Sequence, residues 1–375
     1  MVTFLYFCSY FGDKMNEIKN ERISGRGAQI NTHNRFDKHN RQGEDIFRDE
    51  WEEEEEADKT EYIRIYPKTI INKVESPDVG LTYSMNPYQG CEHGCIYCYA
   101  RSSHNYWGYS AGLDFERKIL YKENAPELLA ETFEKKSWKG ECIMLSGNTD
   151  CYQPIERKLG ITRKILRVCH DYRNPVGIIT KNSLIERDID ILAPMAAQRL
   201  CQVLITVNCA DESVRRLMEP RTASTSKRIQ TIRRLSDAGI PVTLMISPII
   251  PSVNDRYILD IMKMGADAGA ITATYVIIRL NGDVATLFKD WIKKTFPDKA
   301  ERVIHQIEDI HGGTTEDYRY GTRMRGEGHF AEIIRQQFMI GRKKYFGDKV
   351  MPALDSSRFR RFGNGQMSLF DEIDG

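Results

Sequence analysis

The chain has 375 residues, 54 Lys and Arg against 53 Asp and Glu, and a formal net charge of +1. That length suffices for one barrel-sized core with appendages. Nine cysteines, an odd number, without an export signal argue against a disulfide framework and for a reducing cytoplasm.

Residues 1–60 read as a polar, flexible N-terminal extension. Met1 to Phe11 is apolar but too short to span a bilayer and lacks a basic leader, so no membrane association is expected; Met15 is an alternative start. Asp49 to Asp58, with the run Glu52 to Glu56, reads as a solvated linker, which leaves the rest of the chain more basic than the total. Gly25-Arg26-Gly27-Ala28 and Asn34-Arg35-Phe36 mark an arm that either folds onto the body or stays mobile. Order begins at Tyr62, where Ile63, Ile65, Ile70, Ile71 and Val74 suggest extended segments.

These lead into residues 84–99, where Cys91, Cys95 and Cys98 stand at Cys-x3-Cys-x2-Cys spacing with Gly90 and Gly94 between and before them. The glycines let the backbone curl around a compact object. Three converging thiolates need a soft cation, and three are one fewer than a closed four-cysteine iron–sulfur site uses. A [4Fe–4S] cluster held this way keeps one iron open. The other reading is a structural zinc site completed by His93 or His104.

After this loop, strand-like runs at 142–145, 176–180, 203–207, 242–246 and 274–278 alternate with helical patterns at 125–136, 161–172, 184–197, 225–238 and 257–268. Gly239-Ile240-Pro241 is a helix stop. With the strand feeding the cysteine loop there are six βα units. The expected class is α/β, a partial (β/α)6 TIM-like barrel over 61–282, followed by a helical extension (283–355) and a flexible tail (356–375).

In such barrels function gathers where strands end. Ser146, Asn148 and Asp150 follow one strand, Lys181 another, and Thr206 with Asn208 a third. Lys181 there suits a carboxylate. Thr206 and Asn208, two residues apart on a strand, point the same way and can reach one sugar.

The three cysteines, with the aromatic Tyr97 before the third, resemble the signature of the radical S-adenosylmethionine (radical SAM) superfamily. The resemblance implies a [4Fe–4S] cluster whose open iron is chelated by S-adenosyl-L-methionine, with Tyr97 near the adenine and a flavodoxin or ferredoxin as electron donor. It implies cofactor contacts at Lys181, Thr206 and Asn208. At 146–151 the sequence departs from the Gly-Gly-Glu pattern of many members, which leaves Ser146, Asn148 and Asp150 as the available contacts. Glu219, Pro220, Thr222, Ala223, Arg228 and Ile229, with Ser247-Pro248-Ile249, resemble the spore photoproduct lyase branch. That branch uses a cysteine hydrogen donor at its second strand end; here Cys151 is the candidate, if the loop folds back. This kinship and the basic C-terminal third point to a nucleic-acid substrate, with a peptide or small metabolite as the rival. A non-catalytic metal-binding adaptor is the alternative of another class.

Helices are expected at 284–296, 300–310 and 330–338. Tyr320 to Gly328, arginine- and glycine-rich before a helix, is either a phosphate seat or a surface turn. Tyr106, Trp107 and Tyr109 could stack on a base or shield the cluster. Gln366-Met367-Ser368-Leu369-Phe370 resembles the peptide with which bacterial polymerases and repair proteins dock on the sliding clamp.

Overall fold

Short apolar runs such as Val176-Gly-Ile-Ile-Thr180 are too brief for helices and too apolar for surface, so they pair with one another in the interior. The computed structural model of the chain describes residues 22–34, 36 and 59–362. Met1 to Phe11, Met15, the acidic run and the Gln366–Phe370 peptide lie outside the described residues.

The strands are β1 (Glu61–Ile65), β2 (Ile71–Lys73), β3 (Tyr83–Met85), β4 (Tyr88–Gln89), β5 (Lys118–Lys122), β6 (Ile143–Leu145), β7 (Val176–Thr180), β8 (Cys201–Thr206), β9 (Val242–Ile249) and β10 (Thr272–Ile277). The larger sheet runs β10-β9-β8-β7-β6-β3-β2. All its pairings are parallel except β2 against β3. Met85, Leu145 and Ile178 lie side by side in register, which aligns the carboxyl ends of these strands on one rim. Ile143, Leu145, Ile178, Val203, Leu244 and Ile246 have no exposed surface and form its core. The expected α/β class with a parallel sheet therefore holds.

The helices are α1 (Leu113–Arg117), α2 (Ala125–Glu134), α3 (Glu156–Leu159), α4 (Ile161–Asp171), α5 (Ile189–Ala197), α6 (Glu212–Met218), α7 (Thr225–Asp237), α8 (Ile258–Asp267), α9 (Asp283–Thr295), α10 (Ala300–Ile310) and α11 (Gly328–Tyr345). Local chemistry sets several boundaries. Ser224 caps α7 by accepting from the Lys227 N–H, and Gly239 beyond its end adopts φ 75°. Helix α4 buries Ile161, Ile165, Leu166 and Cys169, one stripe at helical spacing.

Some elements differ from expectation. The helix expected at 184–197 is a 3-10 turn, Ser183–Asp188, followed by α5. Buried Asp188 is held there by Arg163, Arg187 and the Tyr152 hydroxyl, a set of partners that local pattern does not reveal. Helix α11 continues seven residues past Phe338, to Tyr345. A second sheet, β1 parallel to β5 with β4 on the other side of β5, carries the cysteine loop and was not anticipated.

Two segments beyond the expected barrel dock on it. Of the two readings of the arm, residues 22–34 take the folded one and lie on the cysteine loop: the Gly27 and Ala28 N–H groups donate to the Glu116 carboxylate at 3.1 and 2.8 Å, and Asn34 donates to the Asn105 carbonyl. The tail also begins docked. Arg360 N–H donates to the Tyr172 carbonyl, and the Phe359 side chain lies so close over Gly140 that a Cβ there would meet the Phe359 Cβ at 2.4 Å and its ring at 2.7 Å.

Candidate metal and cofactor site

From β3 the chain turns through β4 into residues 90–98. Gly90 and Gly94 adopt φ of 76° and 67°, and a Cβ on Gly90 would meet the Lys118 carbonyl at 2.7 Å. Backbone bonds from Cys91 to the Phe115 carbonyl and from Ile96 to the Met218 carbonyl fix the loop against two elements distant in sequence. Cys91 and Cys95 are buried and Cys98 half-buried. Burial, then Asp150 and the other two sulfurs, pushes the Cys91 thiol far above its ordinary range; burial and Glu219 push Cys95 up to about 12. Buried thiols at such mutual cost suit a bound cationic centre, which makes thiolate the stable form. Lys181 is the nearby cation. Burial lowers its affinity for a proton, but Cys95, Glu219 and Cys98 outweigh that and raise it. Its ammonium lies 5.9 Å from the centre of the Tyr97 ring.

Neither histidine completes a zinc shell here. The two ring nitrogens of His93 face the Asp150 carboxylate at 3.4 Å and the Asn182 amide at 3.2 Å. His104 is fully buried against Phe115 and Tyr109, and burial pushes its pKa down to about 4. Three thiols without a fourth ligand fit a cluster with one open corner.

The second strand end is largely self-satisfied. Ser146 adopts φ 66° and its hydroxyl accepts from the Cys151 N–H at 2.8 Å. Tyr99 donates to the Gly147 carbonyl. The Asn148 amide donates to Gln89 and to Ser103. Asp150 accepts from the Thr180 hydroxyl and from the Lys181 and Tyr152 N–H groups, while its pKa falls to about 2: burial opposes this, and His93 with these donors outweighs it. Asp150 thus ties this loop to the end of β7. Cys151 has no exposed surface, so its thiol does not reach the rim in this conformation.

The third strand end is different. Thr206 and Asn208 are buried, yet Thr206 Oγ1 and Asn208 Oδ1 have no hydrogen-bond partner. Each such atom costs on the order of 1–3 kcal/mol. A ligand carrying adjacent hydroxyls would satisfy both, which is what a ribose offers. Asn208 Nδ2 donates to the Tyr97 hydroxyl at 3.1 Å, and Tyr97 donates to Glu219. Glu219 is fully buried and paired with Arg228 at 2.5 Å; Arg228 also donates to the Thr206 carbonyl. Asn254 fixes Asn208 from behind by donating to its carbonyl at 2.7 Å.

The structure therefore joins Cys91, Cys95, Cys98, Tyr97, Lys181, Thr206 and Asn208 into one site, and leaves Ser146, Asn148 and Asp150 as scaffolding beside it. Sequence reasoning missed Asn254, the His93–Asp150 contact and the Glu116 carboxylate that binds the arm. Asn254 lies on a turn after β9 without motif, and nothing local marks Glu116.

Other candidates have partners of their own. In the 320–328 stretch Arg323 pairs with Asp78, and the Arg325 guanidinium lies 3.9 Å from the Tyr275 ring centre. Glu327 stands at the N-cap of α11 and pairs with Arg319, so the expected phosphate seat already carries a carboxylate. Tyr106 stacks on Phe36 of the arm.

Comparison with known proteins follows the same line. The profile of the Radical SAM superfamily matches residues 85–265. An uncharacterized protein of Methanocaldococcus jannaschii is 31% identical over 243 residues, 65% of this chain and 86% of that protein. One from Mycobacterium tuberculosis is 29% identical over 238 residues, 63% and 70% of the two chains. The structure of spore photoproduct lyase complexed with dinucleoside spore photoproduct superposes with a TM-score of 0.54 at 14% identity, covering 76% of this chain and 80% of that one. At that identity the likeness is one of fold.

Proposed function

The chain belongs to the radical SAM superfamily, an enzyme family whose cofactors are a [4Fe–4S] cluster and S-adenosylmethionine, and from that premise we propose the roles of its residues and its substrate. Cys91, Cys95 and Cys98 hold the cluster. Thr206 and Asn208 take the cofactor ribose, Lys181 its carboxylate, and Tyr97 packs beside its adenine. Held by these residues, the cluster and S-adenosylmethionine would supply one-electron reductive cleavage of a sulfonium and, through it, hydrogen-atom abstraction from the substrate. The protein's part is to hold the sulfonium at the open iron, to exclude water with the arm and the cysteine loop, and to keep Tyr97 and Asn208 fixed through Glu219, Arg228 and Asn254. The reductant is a low-potential donor such as flavodoxin or ferredoxin.

The observation that carries this reading is the pair of unsatisfied buried acceptors, Thr206 Oγ1 and Asn208 Oδ1, on the same rim as three buried thiols. Anaerobic reconstitution tests it. About four irons per chain and release of 5′-deoxyadenosine with dithionite are expected; stoichiometric zinc with intact S-adenosylmethionine would overturn it in favour of a metal-binding adaptor.

For the substrate we favour a nucleic acid, in repair or modification. The support is the resemblance of the Glu219-to-Ile229 segment to the spore photoproduct lyase branch and the likeness in fold to a lyase complexed with dinucleoside spore photoproduct. Cys151 as hydrogen donor would require the 146–154 loop to turn outward. We read the six parallel strands as a (β/α)6 partial barrel spanning 61–282, with 283–355 a helical extension that closes its far edge. The Gln366–Phe370 peptide is proposed to dock on the sliding clamp; capture of the clamp should be lost on Leu369→Ala/Phe370→Ala, and unchanged capture would sink the idea.

A further inference from the structure

Arg279 stands two residues beyond Ile277, at the carboxyl end of β10. Its side chain is half-buried, and among the described residues no hydrogen bond or ion pair engages it. The charged side chains that act on it, Arg323, Asp78 and Asp317, are committed elsewhere. Arg323 donates to the Asp78 carboxylate at 2.5 Å and to the Ser76 hydroxyl. Asp78 also accepts from the Gly321 N–H at 2.7 Å. Asp317 accepts from Arg319 at 2.9 Å and faces His311 at 3.2 Å. Burial, then the charge of Arg323, disfavours the protonated guanidinium, while Tyr99, Asp78 and Asp317 act weakly the other way. A half-buried cation beside a like charge and without a partner is unfavourable, and an oxyanion relieves that cost.

Its place in the fold says where that anion would sit. Ser76 and Asp78 lie between β2 and β3, at one end of the larger sheet, whereas Arg279 leaves β10 at the other end. Arg323 and Arg279 therefore mark the seam where the open barrel's two edges meet. Tyr99 is beside them, one residue past Cys98 and 55% exposed, with its hydroxyl on the Gly147 carbonyl. Tyr320, 62% exposed, lies under the Arg323 guanidinium at 4.5 Å. One exposed ring, Tyr99, acts on the uncommitted Arg279 guanidinium, and a second, Tyr320, lies against the neighbouring Arg323.

We propose that Arg279 is the seat for a phosphodiester oxyanion of the substrate, whose flanking base is received by the exposed rings of the seam. The proposal rests on the reading of this rim as the substrate entrance of a radical SAM enzyme, and names the substrate group bound there. The same chemistry could come from the cofactor's carboxylate. Lys181 already stands among the thiols for that group, whereas Arg279 is three strands further along the sheet.

The test uses the full, anaerobically reconstituted chain with a short fluorescent oligothymidylate, the same oligomer with neutral methylphosphonate linkages, and S-adenosylmethionine as separate probes. Arg279→Gln should weaken the phosphodiester oligomer about tenfold and lower its salt slope by about 1. It should leave the methylphosphonate oligomer and S-adenosylmethionine within about twofold. Arg335→Gln, which removes an exposed arginine paired with Glu332 on α11, controls for net charge and should have less effect. Unchanged oligomer binding, or a loss confined to S-adenosylmethionine, would overturn the proposal. Iron content and melting temperature of the variant confirm that the comparison is between folded proteins. Because each arm measures binding, a failure of cofactor cleavage would count against the proposed function and not against this seat.

Discussion

Glu219 is the residue on which the cofactor wall turns. It lies fully buried between Arg228, the Tyr97 hydroxyl and the Thr222 hydroxyl, and it draws on Lys181 as well. Removing one member of a buried ion pair leaves the other charged and uncompensated, a loss of roughly 3–5 kcal/mol. Glu219→Gln should therefore lower stability by about that much in denaturant unfolding, far more than an exposed pair such as Lys263–Asp267 would. Asn208→Ala makes the opposite prediction. It removes an unsatisfied acceptor together with the Nδ2 bond to the Tyr97 hydroxyl, two terms of opposite sign, so the apoprotein should stay within about 1 kcal/mol of the parent and keep its iron content while S-adenosylmethionine binding weakens about tenfold or more, read by equilibrium dialysis. Equal loss of iron and of cofactor would show that Asn208 serves the fold instead.

At the scale of elements, the arm and the cysteine loop behave as one unit. Gly27 lies so close to Gly94 that a Cβ there would meet the Gly94 carbonyl oxygen at 1.7 Å, backbone against backbone with no side chain able to yield. Glu116 receives the arm's two N–H groups and the buried Arg101 guanidinium, which itself donates to the Cys95 carbonyl. Gly27→Ala should lift the arm, so limited proteolysis within 22–34 quickens and the reconstituted cluster's visible absorbance bleaches faster in air. An unaltered cleavage pattern would show the arm tolerates displacement. The lesson about legibility belongs here too. Strands β6 to β10 and their helices were visible because each repeats a short apolar run or a helical stripe. The small β1-β5-β4 sheet was not, because Lys118 to Lys122 gains its partners from Glu61 to Ile65, more than fifty residues away.

For the whole molecule, helix α11 packs on the sheet's β10 edge. Phe338 of α11 packs on Tyr275 with ring centres 4.4 Å apart, and Gly341 lets the helix approach Met262 of α8. The turn that returns the chain is held by Asp317, which binds Arg319 and His311. Its carboxyl is opposed by burial but held by these donors, and its pKa falls to about 2. A carboxylate depressed in the folded state stabilises above its unfolded value, near 4, and loses that contribution as pH falls toward 2. The turn around Asp317 should accordingly loosen between about pH 4 and 2 in hydrogen exchange, and Asp317→Asn should remove that dependence. No helix among the described residues is long and apolar enough to cross a membrane.

Sequence alone determined the cysteine spacing, the alternation of strands and helices, and the hydroxyl–amide pair after β8, because each is a local pattern whose chemistry is carried by neighbouring residues. Only the tertiary structure decided which strand-end residues remain open. Asn148 and Asp150 look as suitable as Asn208 in the chain, but Gln89, Ser103, His93 and Thr180 consume their hydrogen-bonding capacity. Arg279 is one arginine among many until folding gives an anion to each cation around it and none to it. Saturation of a polar group depends on partners brought from afar, and that is information a linear pattern does not contain.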